Sequence, residues 1–187
     1  MKYILALFMV SFVFFTSCDG KDRAKKTSKE ILEDSNLSPS FFEQVSYIPE
    51  QYSEEIVDTT FSNGFKISTK YFSDMNNNVL NEFEIDTIHY KHYYREFITE
   101  LTVEFQEKKI FSKTIDKSLF ENKDDAHFWE QSIMLGLFID KELTDNDKLF
   151  TVASFCIPES EICKDFRLVI ANNGDMEIIE LKTEEVH

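Results

Sequence analysis

Asp74-Met75-Asn76-Asn77-Asn78 places side-chain oxygens at positions one, three and five, the spacing with which a calcium-binding loop begins. Such a loop needs glycine at position six for its sharp turn and a bidentate glutamate at position twelve. Val79 and Ile85 stand there instead. The segment therefore reads as a polar turn between strands. His89 and His92 are three apart in a strand-like stretch, so their side chains point to opposite faces and cannot share a metal. His127 follows Asp124-Asp125 at an expected helix start, where a solvated imidazole is the plain reading. Neither a metal nor a cofactor is expected.

Catalytic motifs are equally sparse. The four glycines, Gly20, Gly64, Gly136 and Gly174, stand too far apart to form a loop that cradles phosphates. There is no Gly-x-Ser-x-Gly elbow and no His-Glu-x-x-His pair. Thirty-five Asp and Glu residues allow so many accidental carboxylate pairs that the sequence singles out no acid–base couple. With only twenty Lys and Arg the formal charge is −15, which argues against a nucleic-acid partner held through phosphates.

A binding surface has a better candidate in Tyr90-Lys91-His92-Tyr93-Tyr94-Arg95-Glu96-Phe97. Aromatic side chains fall on both faces of this strand beside cationic groups, so Tyr90, Tyr93 and Tyr94 could stack on a sugar or on a protein partner. The alternative is a strand covered on both sides, its rings belonging to the core.

The elements that must position these residues are mostly strands. Nineteen Phe, seven Tyr and one Trp favour sheet, and each ring buries a large area. From Tyr93 to Phe105 odd positions are largely apolar and even ones polar, the period-two pattern of a half-buried strand, with a turn expected at Glu107 to Lys109. Ser62-Asn63-Gly64 and Asn172-Asn173-Gly174-Asp175 each separate two strand-like runs and mark hairpins, since Asn-Gly supplies the positive φ angles of tight turns. Glu82 to Tyr90 and Leu149 to Ile157 read as further strands, the second apolar on both faces and so central. Asp124 to Glu142 departs from this pattern: Ala126, Trp129, Ile133, Met134, Leu137 and Phe138 recur at helical spacing after an acidic start. The expected fold is therefore α+β, a mainly antiparallel sheet of hairpins with one packed helix over about 124–142.

Cys156 and Cys163 are separated by six residues that a turn could fold back, which suggests a disulfide closing a short loop. Such a bridge would contribute roughly 2 to 3 kcal/mol on the chain-entropy model. The alternative is two thiols packed as small apolar groups; the spacing is wrong for a redox Cys-x-x-Cys.

The first eighteen residues carry an address. Met1-Lys2 leads into an apolar stretch, Tyr3 to Phe15, too short to span a bilayer, followed by Thr16-Ser17-Cys18. Phe15-Thr16-Ser17-Cys18 resembles the lipobox of bacterial lipoproteins, in which the cysteine becomes the acylated N-terminus. Residues 19–38 are polar and carry no aromatic ring, as befits a tether with a reach of roughly 25 Å. The expected organisation is a signal peptide at 1–17, lipidated Cys18 and a flexible tether at 18–38, and one domain at 39–187. With Asp19 after the cysteine, the Asn-Gly hairpins, the Phe/Tyr-rich strands and one late helix, the chain resembles small lipoproteins of Bacteroides-type bacteria, some of them families of unknown function. That resemblance implies a location on the periplasmic or surface face of the outer membrane.

Function is accordingly expected to be non-catalytic: a membrane-anchored module of the cell envelope that binds an envelope protein or a glycan, or assists an assembly. The alternatives are a lipocalin-like carrier of a small apolar ligand and, less favoured, a hydrolase whose acidic pair the sequence does not locate.

Overall fold

Among the described residues, alternating apolar residues and glycine-marked turns build nine strands, arranged as two packed sheets. The computed structural model describes residues 27, 30, 43–86, 88–121 and 125–182. The signal, Cys18 and nearly all of the tether lie outside them; Thr27 and Glu30 exchange the reciprocal hydrogen bonds of a capping box. The described residues fall into two units, one that includes Glu43, Gln44, 84–86, Ile88 and His89 and another made of 45–83 with 90–121 and 125–182. The core and the candidate site lie in the second.

The first sheet contains β1 (Glu43–Ile48), β2 (Glu54–Thr60), β3 (Phe65–Ile85), β4 (Ile88–Phe105) and β5 (Lys108–Ile115), in the order β1-β4-β3-β2 with β5 also on β4. The second contains β6 (Ile133–Asp140), β7 (Lys148–Cys156), β8 (Cys163–Ala171) and β9 (Met176–Leu181), antiparallel in sequence order. Both Asn-Gly segments are hairpin turns, with Gly64 at φ +97° and Gly174 at φ +91°. The β4–β5 turn uses Gln106 and Glu107, both at positive φ, and β5 starts at Lys108, one residue into the expected turn. As expected of a strand apolar on both faces, β7 is internal, between β6 and β8.

Between the sheets lies one aromatic and aliphatic core. Phe65 and Ile67 of β3, Leu101 and Val103 of β4, and Ile115 of β5 meet Leu149, Ala153 and Phe155 of β7 and Phe166, Leu168 and Ile170 of β8, all buried. Burying a side chain of this kind contributes about 1.5–3 kcal/mol, and tilted ring pairs such as Phe65–Phe105 at 4.7 Å add to that. Polar ties also cross between the sheets, as where the Tyr71 hydroxyl donates to the Met134 carbonyl at 3.0 Å.

The expected α+β class is not what forms: among the described residues the protein is mainly β, and the helix expected over about 124–142 is short. Helix α1 covers Ala126–Gln131 and ends at Ser132, whose backbone is extended at ψ 153°. Phe128 and Trp129 fill the core from it, Trp129 lying 5.3 Å from the Phe155 ring and 5.6 Å from that of Phe166. Ile133–Asp140, which the sequence assigns to the same helix, is instead the edge strand β6 paired to β7 from Ile133↔Cys156 to Asp140↔Phe150. Apolar spacing of three and four residues also suits a short strand that begins buried on both faces. Gly136, costly inside a helix by about 1 kcal/mol, falls where the β6–β7 register shifts.

Two smaller assignments also change. Asp74 to Asn78 is not a turn but part of the 21-residue strand β3; Asp74 turns its carboxylate back on the Asn76 N–H at 2.9 Å and the Asn77 side chain at 2.7 Å. Glu82 to Tyr90 is not one strand either, because β3 ends at Ile85 and β4 begins at Ile88, with Asp86 at positive φ between them.

Candidate functional site

Glu159 occupies the connection between β7 and β8. Cys156 and Cys163 are register partners at the ends of those strands, with Cα atoms 4.1 Å apart and sulfurs at 2.02 Å, a bonded pair at the neck of the loop. Ile157 and Ile162 close the next rung through a 3.0 Å backbone hydrogen bond, and the Ser160 hydroxyl donates to the Ile157 carbonyl at 2.9 Å. Inside this clamp Glu159 takes φ +60°, a left-handed conformation that a residue with a Cβ adopts only at a cost. That conformation sends the carboxylate across to the other sheet.

Three donors from β3 and β4 converge on it. Asn81 Nδ2 donates to Oε2 at 2.9 Å, His92 Nδ1 lies 2.9 Å from Oε1, and the Tyr94 hydroxyl donates to the same Oε1. The Tyr94 phenol is pushed up to about 12, by burial first and then by its bond to Glu159. Glu159 moves the opposite way, below the ordinary carboxylate value, chiefly because Tyr94 and then His92 hydrogen-bond its ionised form.

Rings border this polar centre. Phe83 of β3 stacks on Tyr90 of β4 at 5.1 Å and nearly parallel, and His92 stands edge-on to Phe83 at 5.0 Å, to Tyr90 at 6.3 Å and to Tyr94 at 6.2 Å. Tyr90, His92 and Tyr94 are alternate residues of one strand, so a single face carries all three. Each remains only partly buried. Of the expected binding residues, then, Tyr90 and Tyr94 come together and Tyr93 does not. Tyr93 stacks on Tyr47 of β1 at 5.0 Å, while the Arg95 guanidinium covers the Tyr47 ring at 4.4 Å. His92, from the same segment, and Asn81, Phe83 and Glu159, which no local signal joins to it, complete the face. Cys18, the expected lipid site, falls outside the described residues.

Two grooves offer other surfaces. One, of about 310 Å³, runs between β2 and β6 and is lined by Val57, Tyr71, Leu135 and Phe138 among others. The second, of about 290 Å³, is polar and collects Asp74, Glu96, Asp116, Lys117 and Glu121. Lys117 Nζ, on a 3-10 turn at Lys117–Leu119, pairs with Glu96 Oε1 at 2.5 Å and donates to the Ser132 carbonyl at 3.0 Å. Burial holds the Glu96 carboxyl above its ordinary value, aided by the Glu121 and Asp74 charges and opposed by Lys117. Among the described residues no group of three or more His, Cys, Asp and Glu is placed to hold a metal ion.

A family model described as Domain of unknown function (DUF4738) matches residues 43–178. No curated protein matches the chain.

Proposed function

This chain belongs to that family of unknown function, and from this premise we propose that it is a glycan-binding module of the bacterial cell envelope, held at a membrane by lipid on Cys18. One observation carries the reading: Phe83, Tyr90, His92 and Tyr94 lie together on a partly exposed sheet face beside the amide of Asn81 and the carboxylate of Glu159. Rings that stack on the apolar faces of a sugar, next to groups that bond its hydroxyls, are what a glycan site requires. The packed aromatic interior favours this reading over a carrier, because the space between the sheets is taken by Phe65, Leu101, Phe155 and Ile170. The lipobox-like Phe15-Thr16-Ser17-Cys18 supports the anchor and, with it, the resemblance to lipoproteins of Bacteroides-type bacteria.

Affinity electrophoresis through gels containing polysaccharide from the native envelope tests the site. Tyr90→Ser should leave the protein folded and weaken retardation about tenfold, the worth of one stacked ring. An unfolded Tyr90→Ser protein would return that ring to the core and sink the reading. For the anchor, labelling with an alkyne palmitate should mark the wild type and not Cys18→Ala.

A second reading rests on the partly buried pair in the polar groove, where Glu96 and Lys117 could serve a hydrolase as acid and charge partner. Hydrolysis of envelope glycans abolished by Glu96→Gln would favour it.

A further inference from the structure

The geometry points to a carboxylate-binding site formed by Asn81, His92 and Tyr94, in which the protein's own Glu159 side chain is the resident occupant. The inference rests on the glycan reading of the same face and narrows its ligand to an acidic sugar, a uronic or sialic residue. The three groups belong to neighbouring strands β3 and β4, whereas their acceptor comes from a loop of the other sheet. Both carboxylate oxygens are engaged: Asn81 serves Oε2, and His92 and Tyr94 serve Oε1.

Two features identify Glu159 as a displaceable occupant rather than a core element. Its side chain is 42% exposed, and it projects from a loop whose shape is held by the disulfide and by the loop's own hydrogen bonds. Losing its contacts with Asn81, His92 and Tyr94 leaves those loop bonds intact. The rings of Phe83 and Tyr90 extend the platform beyond His92, in the direction a sugar ring would lie if its carboxylate took the place of Glu159. The chain's charge of −15 repels any anion, but at physiological ionic strength that field is screened within about 8 Å, and local donors then decide. An intramolecular carboxylate competes at a high effective concentration, so the free ligand binds the wild type weakly.

The test vacates the donors. Glu159→Gly suits the left-handed backbone and removes the carboxylate, and Glu159→Ala is the companion should the glycine variant loosen the loop. Imidazole signals of His92, assigned by loss in His92→Gln, are followed by NMR while acetate and then glucuronate are added. Saturable shifts in the variant at concentrations at least tenfold below those the wild type needs, abolished by adding Asn81→Ala, are expected. Equal responses in wild type and variant, or none in either, would overturn the carboxylate site. Glucuronate should bind the variant more tightly than acetate, and that advantage should vanish in Tyr90→Ser. Acetate binding without any advantage for glucuronate would keep the carboxylate site and sink the glycan platform.

Discussion

Tyr94 and Glu159 lie 65 positions apart in the chain, and the phenol of one donates to the carboxylate of the other across the two sheets. The bond joins a group that titrates far above neutrality to one that titrates far below it. Near neutral pH the donor is protonated and the acceptor ionised.

Glu159→Gln should therefore act differently at the two ends of the pH scale. The lowered folded pKa of Glu159 means that its contribution is present above the ordinary carboxylate value and lost as pH falls through the folded one. At pH 7 the substitution should cost about 0.5–1 kcal/mol, since the group is largely solvated, and the difference from wild type should vanish in acid. Urea denaturation at several pH values measures it; a cost that persists unchanged as the pH falls well below the ordinary carboxylate range would contradict this account.

Tyr94 gives the alkaline counterpart. Its folded pKa lies above the unfolded value of 10, so the neutral phenol is favoured in the fold, and this contribution is complete below pH 10 and lost as pH rises toward about 12. Tyrosinate absorbance should lose one late-titrating ring in Tyr94→Phe, while Tyr71, whose phenol is also pushed up by burial, still titrates late. In Glu159→Gln the Tyr94 midpoint should move down toward 10.

The two hairpin glycines should differ. An added Cβ at Gly174 would meet the Ile110 carbonyl oxygen at 2.4 Å, a backbone atom with little room to retreat, whereas at Gly64 the nearest atom is 3.5 Å away. Both substitutions impose positive φ on alanine, at a cost of about 1 kcal/mol. Gly174→Ala should cost at least about 1 kcal/mol more than Gly64→Ala in paired urea melts, because it also forces the β8–β9 turn off β5.

In the polar groove, Lys117→Met leaves the partly buried Glu96 without its ammonium. A loss of about 1–3 kcal/mol at pH 7 is expected, below the range for a fully buried pair because both side chains retain some exposure. The raised pKa of Glu96 means that its proton is favoured in the fold, so the loss should shrink as pH falls and the carboxyl neutralises. Thermal unfolding of wild type and variant between pH 4 and 8 would show the two curves converging toward acid.

Trp129→Ala should cost about 3–5 kcal/mol, measured by chemical denaturation, since the indole packs against both Phe155 and Phe166. A cost below about 1 kcal/mol would mean that α1 merely lies on the surface.

What the sequence made legible was local. Asn-Gly turns fix φ within four residues, and the alternation from Tyr93 to Phe105 exposes a strand face directly, so these elements could be placed without partners. Ile133 to Asp140 could not, because its pairing with β7 decides between helix and strand, and a run carrying apolar residues at both spacings contains no trace of that partner. The candidate site divides the same way. Tyr90 and Tyr94 are visible as aromatics on alternate positions, and Tyr93, on the opposite face of β4, stacks on Tyr47 instead. Glu159 leaves no local signal: one carboxylate among thirty-five, it acquires meaning from donors 65 to 78 residues away.

The loop that carries Glu159 is sealed by Cys156 and Cys163 at its neck, so assembly of the proposed site includes an oxidation step. Chains made where thiols stay reduced would reach the same strand pairing yet hold Glu159 in a wider spread of positions, its carboxylate off the three donors for more of the time. Export to an oxidising compartment would then be the last stage of this domain's maturation, and recombinant material from a reducing cytoplasm would behave as a mixture whose ligand response sharpens once the bridge has closed.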